Sequence, residues 1–249
     1  IHLGKGAADT ERQKELDLVA CLRHHRDSAE SLILVGDIFD YFIEYRNLLP
    51  KGFSRFQGML AEWNDHGIPI TYFVGNNDPW HIDYFKTEYD VSVVMDDRVL
   101  QLDGHAAYIT HGDGLGRGWS KYKILKPILR NRLPVFLYRT LLPGDVGIGI
   151  AKFAKRVFSN DRINPATITQ LRQYAEGILR DDAVSNVVMG HSHYPEVCEF
   201  EGGKYINTGS WHHNRTFGIA DGHGIRLMEW TNGEARPFVS KVEPSHASK

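Results

Sequence analysis

Short apolar runs alternate with longer amphipathic stretches along the first third of the chain. Leu16, Val19, Ala20 and Arg23 fall at helical spacing behind Thr10-Glu11-Arg12-Gln13, which fits a capping box, so a helix is expected over 10–26. The apolar run at 31–36 reads as a buried strand. Phe53, Phe56, Met59, Leu60 and Trp63 recur at i, i+3, i+6, i+7 and i+10, the pattern of an amphipathic helix with an aromatic core face. The next strand covers 69–74. With Ile1-His2-Leu3-Gly4 as the tail of a strand cut off mid-motif, 1–78 reads as a βαβαβ unit with parallel pairing.

Beyond it, the pattern predicts a short helix around 79–85 and strands at 91–95, 98–103 and 105–110, with Asp103-Gly104 as a hairpin turn. Asn164-Pro165 opens a helix to about Arg180. A strand follows at 187–190, then an antiparallel meander at 195–200, 203–207, 216–220, 224–230 and 235–239. With no repeat and no low-complexity linker, the expectation is an α/β chain forming one domain over 1–249, carrying a helical insertion at about 114–163.

That insertion is both basic and apolar. Lys121, Lys126, Arg130, Arg139, Lys152, Lys155, Arg156 and Arg162 interleave with Trp119, Leu125, Phe136 and Leu141, in helical segments expected to break at Pro127, Pro134 and Pro143. Two readings stand: a helical hairpin with a solvated basic face, or a contact with a membrane surface or lipid phosphate.

Composition narrows the rest. A net charge of −2 on 249 residues gives no case for nucleic-acid binding. Cys21 and Cys198 form no CxxC pair, which fits a reducing compartment. No apolar run approaches a membrane span, and no signal peptide is visible.

The chemistry gathers at strand ends. His2, Gly36-Asp37, Gly75-Asn76-Asn77-Asp78, His111-Gly112-Asp113 and Gly190-His191-Ser192-His193 each follow an apolar run. Open α/β sheets place ligands outside the carboxyl ends of their strands. Alone, each motif reads as a turn or a satisfied core histidine. Together they read as a hydrolytic metal centre of oxygen and imidazole donors without cysteine, suited to Mn²⁺, Fe²⁺ or Zn²⁺. Asp37 could bridge two ions, which would then clamp a phosphate. Asp40 is left as a residue that orients the loop or a ligating histidine.

In this order the blocks resemble the calcineurin-like metallophosphoesterase superfamily. The resemblance implies a four-layer αββα sandwich and two divalent ions, manganese first. It implies His2, Asp37 and His193 around one ion, and Asp37, Asn76, His111 and His191 around the other, with Asn76, Asn77, His111 and His191 serving catalysis. Asn207-Thr208-Gly209-Ser210-Trp211 resembles the strand-turn after the last histidine motif in bacterial members. Gly36-Asp37-Ile38-Phe39-Asp40 and the insertion look like the UDP-2,3-diacylglucosamine pyrophosphohydrolase branch of lipid A synthesis. That branch implies a helical lid for acyl chains, a UDP-linked diacyl sugar or other phosphoanhydride as substrate, and a cytoplasmic protein peripheral to the inner membrane. Asn77, Lys152, Lys155, Arg156 and Arg162 are the candidate substrate contacts.

Two departures stand out. The motif aspartate expected immediately before Ile1 lies outside the sequence, which reads as truncated. Asn77 replaces the histidine common in the superfamily, where the branch commonly has arginine. A phosphate ester leaves more easily than an alkoxide, its conjugate acid having a pKa of about 6, so a pyrophosphate substrate tolerates Asn77 without a general acid. Two alternatives remain open: a phosphoesterase of soluble nucleotides or phosphodiesters, and a metal-site relic serving as a binding scaffold.

Overall fold

A computed structural model describes residues 1–115, 121–158, 163–181 and 183–239, with backbone alone at 121–125 and 156–158. Three parallel strands, β1 (Leu32–Val35), β2 (Ile70–Phe73) and β3 (Ser92–Val94), form one sheet in that order. A second sheet has five strands: β4 (Arg98–Leu102), β5 (His105–Ile109), β6 (Asn186–Met189), β7 (Glu196–Phe200) and β8 (Gly203–Asn207), in the order β4-β5-β6-β8-β7. Its inner strands run parallel and its edges antiparallel. A third sheet is the antiparallel meander β9 (Thr216–Asp221), β10 (Gly224–Thr231) and β11 (Glu234–Pro237).

Period-two alternation assigns these strands to layers. Leu34 of β1 joins a core with Leu18 and Leu22 of α1 (Ala8–Arg26) and with Phe56, Leu60 and Trp63 of α2 (Ser54–Asp65). Its neighbours Ile33 and Val35 face the other way, into a core shared with Phe73, Ile109, Val188 and Ile206. On the far side of the second sheet, Val187, Met189 and Tyr205 pack on Leu171, Ala175 and Leu179 of α7 (Pro165–Leu179). Helices, sheet, sheet, helix is the expected four-layer αββα sandwich. Each fully buried side chain of this size contributes about 1.5–3 kcal/mol.

Several local expectations change. The capping box does not form: α1 starts at Ala8, and Ala7 offers no side-chain cap. Glu11 instead accepts from the Gly4 N–H at 2.6 Å and pairs with Lys14 Nζ at 2.6 Å. Lys14 is fully buried, and a buried ammonium needs a carboxylate partner. The short helix moves from 79–85 to α3 (Tyr84–Tyr89), because buried Glu44 accepts from the N–H groups of Ile82, Asp83 and Tyr84 and sets its start. The final strands split, with β7 and β8 in the second sheet and only β9–β11 forming a meander. Ile1–Leu3 does pair as the expected strand tail, through a parallel bridge from Leu3 to Phe39.

Between β5 and α7 lie α4 (Lys121–Arg130), α5 (Arg132–Leu141) and α6 (Gly144–Phe158). Pro134 falls in the first turn of α5 and Pro143 just before α6, where no helical N–H is required. Pro127 does not break α4. An interior proline costs about 3 kcal/mol, and here Lys126 and Arg130, on either side of it, both bind Asp113 and hold the helix in place. A cavity of about 480 Å³ lies between the edge strands β1 and β9 and reaches His2, Asp37 and His193 at one end.

Candidate metal centre

The loops after β1, β2, β5 and β6 converge on one point, together with the segment at His2. Asp37 Oδ2 lies 3.6 Å from His2 Nε2 and 3.3 Å from His111 Nε2. His2 Nε2 and His193 Nε2 are 2.8 Å apart, and Asn76 Oδ1 lies 3.3 Å from His111 Nε2. The donor atoms of His2, Asp37 and His193 could hold one ion, and those of Asp37, His111 and His191 another. Asp37 belongs to both groups, so the residues fit a pair of ions sharing one carboxylate.

Backbone conformation is part of the construction. His2, Asp37, His191 and His193 have φ of 57°, 50°, 63° and 59°, the left-handed region that non-glycine residues rarely occupy. Each costs of order 1–3 kcal/mol and persists because the surroundings fix it. Two glycines make the close approaches possible. A Cβ on Gly36 would lie 2.4 Å from His111 Nδ1, and one on Gly75 would lie 2.2 Å from Asp37 Oδ1.

Asp78 ties the first two loops together. Its carboxylate accepts from the N–H groups of Asp37 (3.2 Å), Ile38 (2.7 Å) and Gly75 (2.8 Å), and from the Tyr72 hydroxyl. Sequence reasoning assigned Asp78 no role. The one available signal was a second carboxylate at the end of the Asn-Asn run, where such residues accept from nearby backbone. Asn77 donates to both oxygens of Asp37, from its backbone N–H at 2.8 Å and its side chain at 2.5 Å.

Electrostatics favour ligation at His2, His191 and His193, whereas His111 must lose a proton to ligate. Burial pushes His2 and His191 down to about 4, against Asp40 and Asp37 respectively, and pushes His193 to about 2 with His2 adding to it. Neutral imidazole is the metal-binding form. Burial opposes ionisation of Asp37 as well, but His111 and His2 hold its carboxyl well below the usual range. The same attraction overrides burial at His111 and raises it to about 9. His111 Nδ1 lies 3.0 Å from the Val35 carbonyl, which directs Nε2 toward Asp37.

The basic candidates take other partners. Lys155 Nζ donates to Asp40 at both its carbonyl and Oδ1, at 2.5 Å each. Lys152 lies over the Tyr41 ring, 4.9 Å from its centroid. The Arg156 side chain and Arg162 lie outside the described residues.

No family model matches the chain. A protein of Porphyromonas gingivalis named UDP-2,3-diacylglucosamine hydrolase is 29% identical over 244 residues, covering 91% of this chain and 93% of that one. Proteins of the same name from Edwardsiella ictaluri and Pseudomonas fluorescens are 26% and 28% identical, covering 84% and 85% of this chain and 82% and 85% of theirs. Among solved structures, Yfce, a phosphoesterase from E. coli, superposes with a TM-score of 0.44 at 13% identity, over 90% of this chain and 89% of that one. Over most of its length the chain is similar to these UDP-2,3-diacylglucosamine hydrolases, the branch that its motif order resembles.

Proposed function

We propose that this protein is a metal-dependent hydrolase that splits the phosphoanhydride of UDP-2,3-diacylglucosamine into UMP and the lipid sugar monophosphate. The observation that carries the reading is Asp37, shared by two histidine groups beneath a helical insertion that is both basic and apolar. His2, Asp37 and His193 would hold one divalent ion, and Asp37, Asn76, His111 and His191 a second, with manganese favoured and iron or zinc compatible. Bound there, the ions supply a nucleophilic hydroxide from water and charge stabilisation at the phosphoryl oxygens.

The protein's own groups do the positioning. Val35 and Asp37 fix the His111 ring, and Asn77 donates to both oxygens of Asp37. Asn77 carries no acid proton, in keeping with a phosphate-ester leaving group that needs none. The insertion is the candidate lid of a single domain. Leu133, Phe136, Leu141 and Phe153 are exposed on α5 and α6, suited to acyl chains and to a peripheral contact with the inner membrane from the cytoplasm. No helix among the described residues is long and apolar enough to cross a membrane. Lys152, Lys155, Arg156 and Arg162 remain candidate phosphate contacts, Lys155 only by leaving Asp40.

The test is UMP release from UDP-2,3-diacylglucosamine by manganese-loaded protein, beside Asp37→Ala and a panel of soluble nucleotides and phosphodiesters. Turnover of the diacyl substrate that is lost in Asp37→Ala supports the reading. Equal turnover of the soluble panel favours a general phosphoesterase, and no turnover with metal bound favours a scaffold.

A further inference from the structure

Helix α6 of the insertion reaches the His2 side of the candidate metal centre through the Asp40 carboxylate. Asp40 Oδ1 is 2.5 Å from Lys155 Nζ of α6 and 3.4 Å from His2 Nδ1. His2 Nε2, on the other side of the ring, faces Asp37 and His193. His2 Nδ1 is buried without another partner, and the Asp40 and Lys155 side chains are both mostly buried. The Asp40 backbone takes part too: its N–H donates to the Leu3 carbonyl at 2.8 Å, and its carbonyl accepts from Lys155. One residue thus fixes the loop beside His2, faces the ring of His2 and holds α6.

We infer that Asp40 is a positioning residue with two tasks, holding α6 of the helical insertion through Lys155 and holding the His2 ring on that side of the metal centre. A carboxylate behind a ligating imidazole fixes its tautomer and raises its donor strength, and losing such a partner typically costs 10–100-fold in metal affinity. Lys155 uses the same oxygen, so one carboxylate serves both contacts. The two contacts are separable. Removing Lys155 frees α6 and leaves Asp40 facing His2, whereas neutralising Asp40 weakens both contacts. The metal half of this inference rests on the proposed function, while the α6 half stands on the ion pair alone.

The experiment measures manganese binding by calorimetry and backbone hydrogen exchange of α6 in full-length wild type, Asp40→Asn, Lys155→Met and Lys155→Arg. Asp40→Asn is expected to lower manganese affinity about tenfold and to speed exchange in α6. Lys155→Met is expected to speed α6 exchange to a similar degree in metal-free protein while manganese affinity stays within about twofold of wild type, and Lys155→Arg to restore protection. Wild-type affinity in Asp40→Asn, or wild-type α6 exchange in Lys155→Met, overturns the double role. A wild-type protein that binds no manganese sinks the proposed function and the His2 half together, and the α6 exchange rates then decide the Lys155 half alone.

Discussion

Asp37 occupies the space that a side chain on Gly75 would need: a Cβ there would lie 2.2 Å from Asp37 Oδ1 and 2.3 Å from its backbone nitrogen. The carboxylate shared by both ligand groups is therefore pressed against bare backbone, and glycine is required at 75 for contact, not for conformation. Gly75→Ala should push Asp37 out of place. Overpacking of this kind costs about 1–3 kcal/mol, measurable by urea unfolding. Metal analysis of the purified variant should show fewer ions bound per chain than wild type. A variant with wild-type metal content would mean that Asp37 does not need its observed position.

Asp78 offers a separate test, because it binds no proposed ion and yet holds Asp37 in place. Asp78→Ala leaves the N–H groups of Asp37, Ile38 and Gly75 without their acceptor. Each buried unsatisfied group costs about 1–3 kcal/mol, so a loss of several kcal/mol is expected in chemical denaturation. Asp78→Asn keeps one accepting oxygen and should fall between Ala and wild type. Equal stability of all three proteins would show that water replaces the carboxylate.

The contrast between Asp37 and Asp78 marks how far the sequence could be read. Asp37 stood out because a carboxylate at the end of an apolar run coincides with histidines at other strand ends. Asp78 serves backbone, and an aspartate that accepts N–H bonds looks in sequence like any turn former. The burial of β1 was legible too, since Ile33, Leu34 and Val35 form an unbroken apolar run, whereas the four layers followed only from the family resemblance. Left-handed φ at His2, Asp37, His191 and His193 had no signature, because only glycine advertises that conformation. Helix breaks at proline failed at Pro127 for a tertiary reason: Asp113 binds both neighbouring cations, and local propensity does not see it. Lys155 looked like a free phosphate ligand until the fold brought it to Asp40.

His81 should make stability depend on pH. Its ring nitrogens are buried, its ring packs on Phe42, Tyr72 and Phe85, and burial pushes it down to about 3 from an ordinary 6.5, against the Asp78 backbone. The unfolded chain takes up this proton below about pH 6.5 while the folded chain resists it down to about pH 3. Its contribution is therefore complete above pH 6.5 and is lost as pH falls toward 3. At about 1.4 kcal/mol per unit, roughly 5 kcal/mol is at stake. Urea unfolding of wild type and His81→Phe at pH 7 and pH 4.5 isolates it, since other histidines contribute equally to both. The wild type should lose more stability on acidification than the variant, and parallel losses would remove His81 as the cause.

The exposed apolar side chains of the insertion should govern lipid binding without governing stability. Phe136, Leu141 and Phe153 are 62%, 72% and 67% exposed, so they contribute little to the folded core. The triple change Phe136→Ser, Leu141→Ser, Phe153→Ser should leave the urea midpoint nearly unchanged. If these residues enter a bilayer, each buries apolar area worth about 1 kcal/mol, and losing all three should weaken binding by about 100-fold. Co-sedimentation with vesicles of phosphatidylethanolamine and phosphatidylglycerol measures that loss directly. The same variant assayed on a short-chain, water-soluble analogue of the diacyl substrate should keep its turnover. Unchanged vesicle binding would assign the apolar face to something other than lipid, whereas loss of turnover on the soluble analogue would make these side chains part of the catalytic architecture.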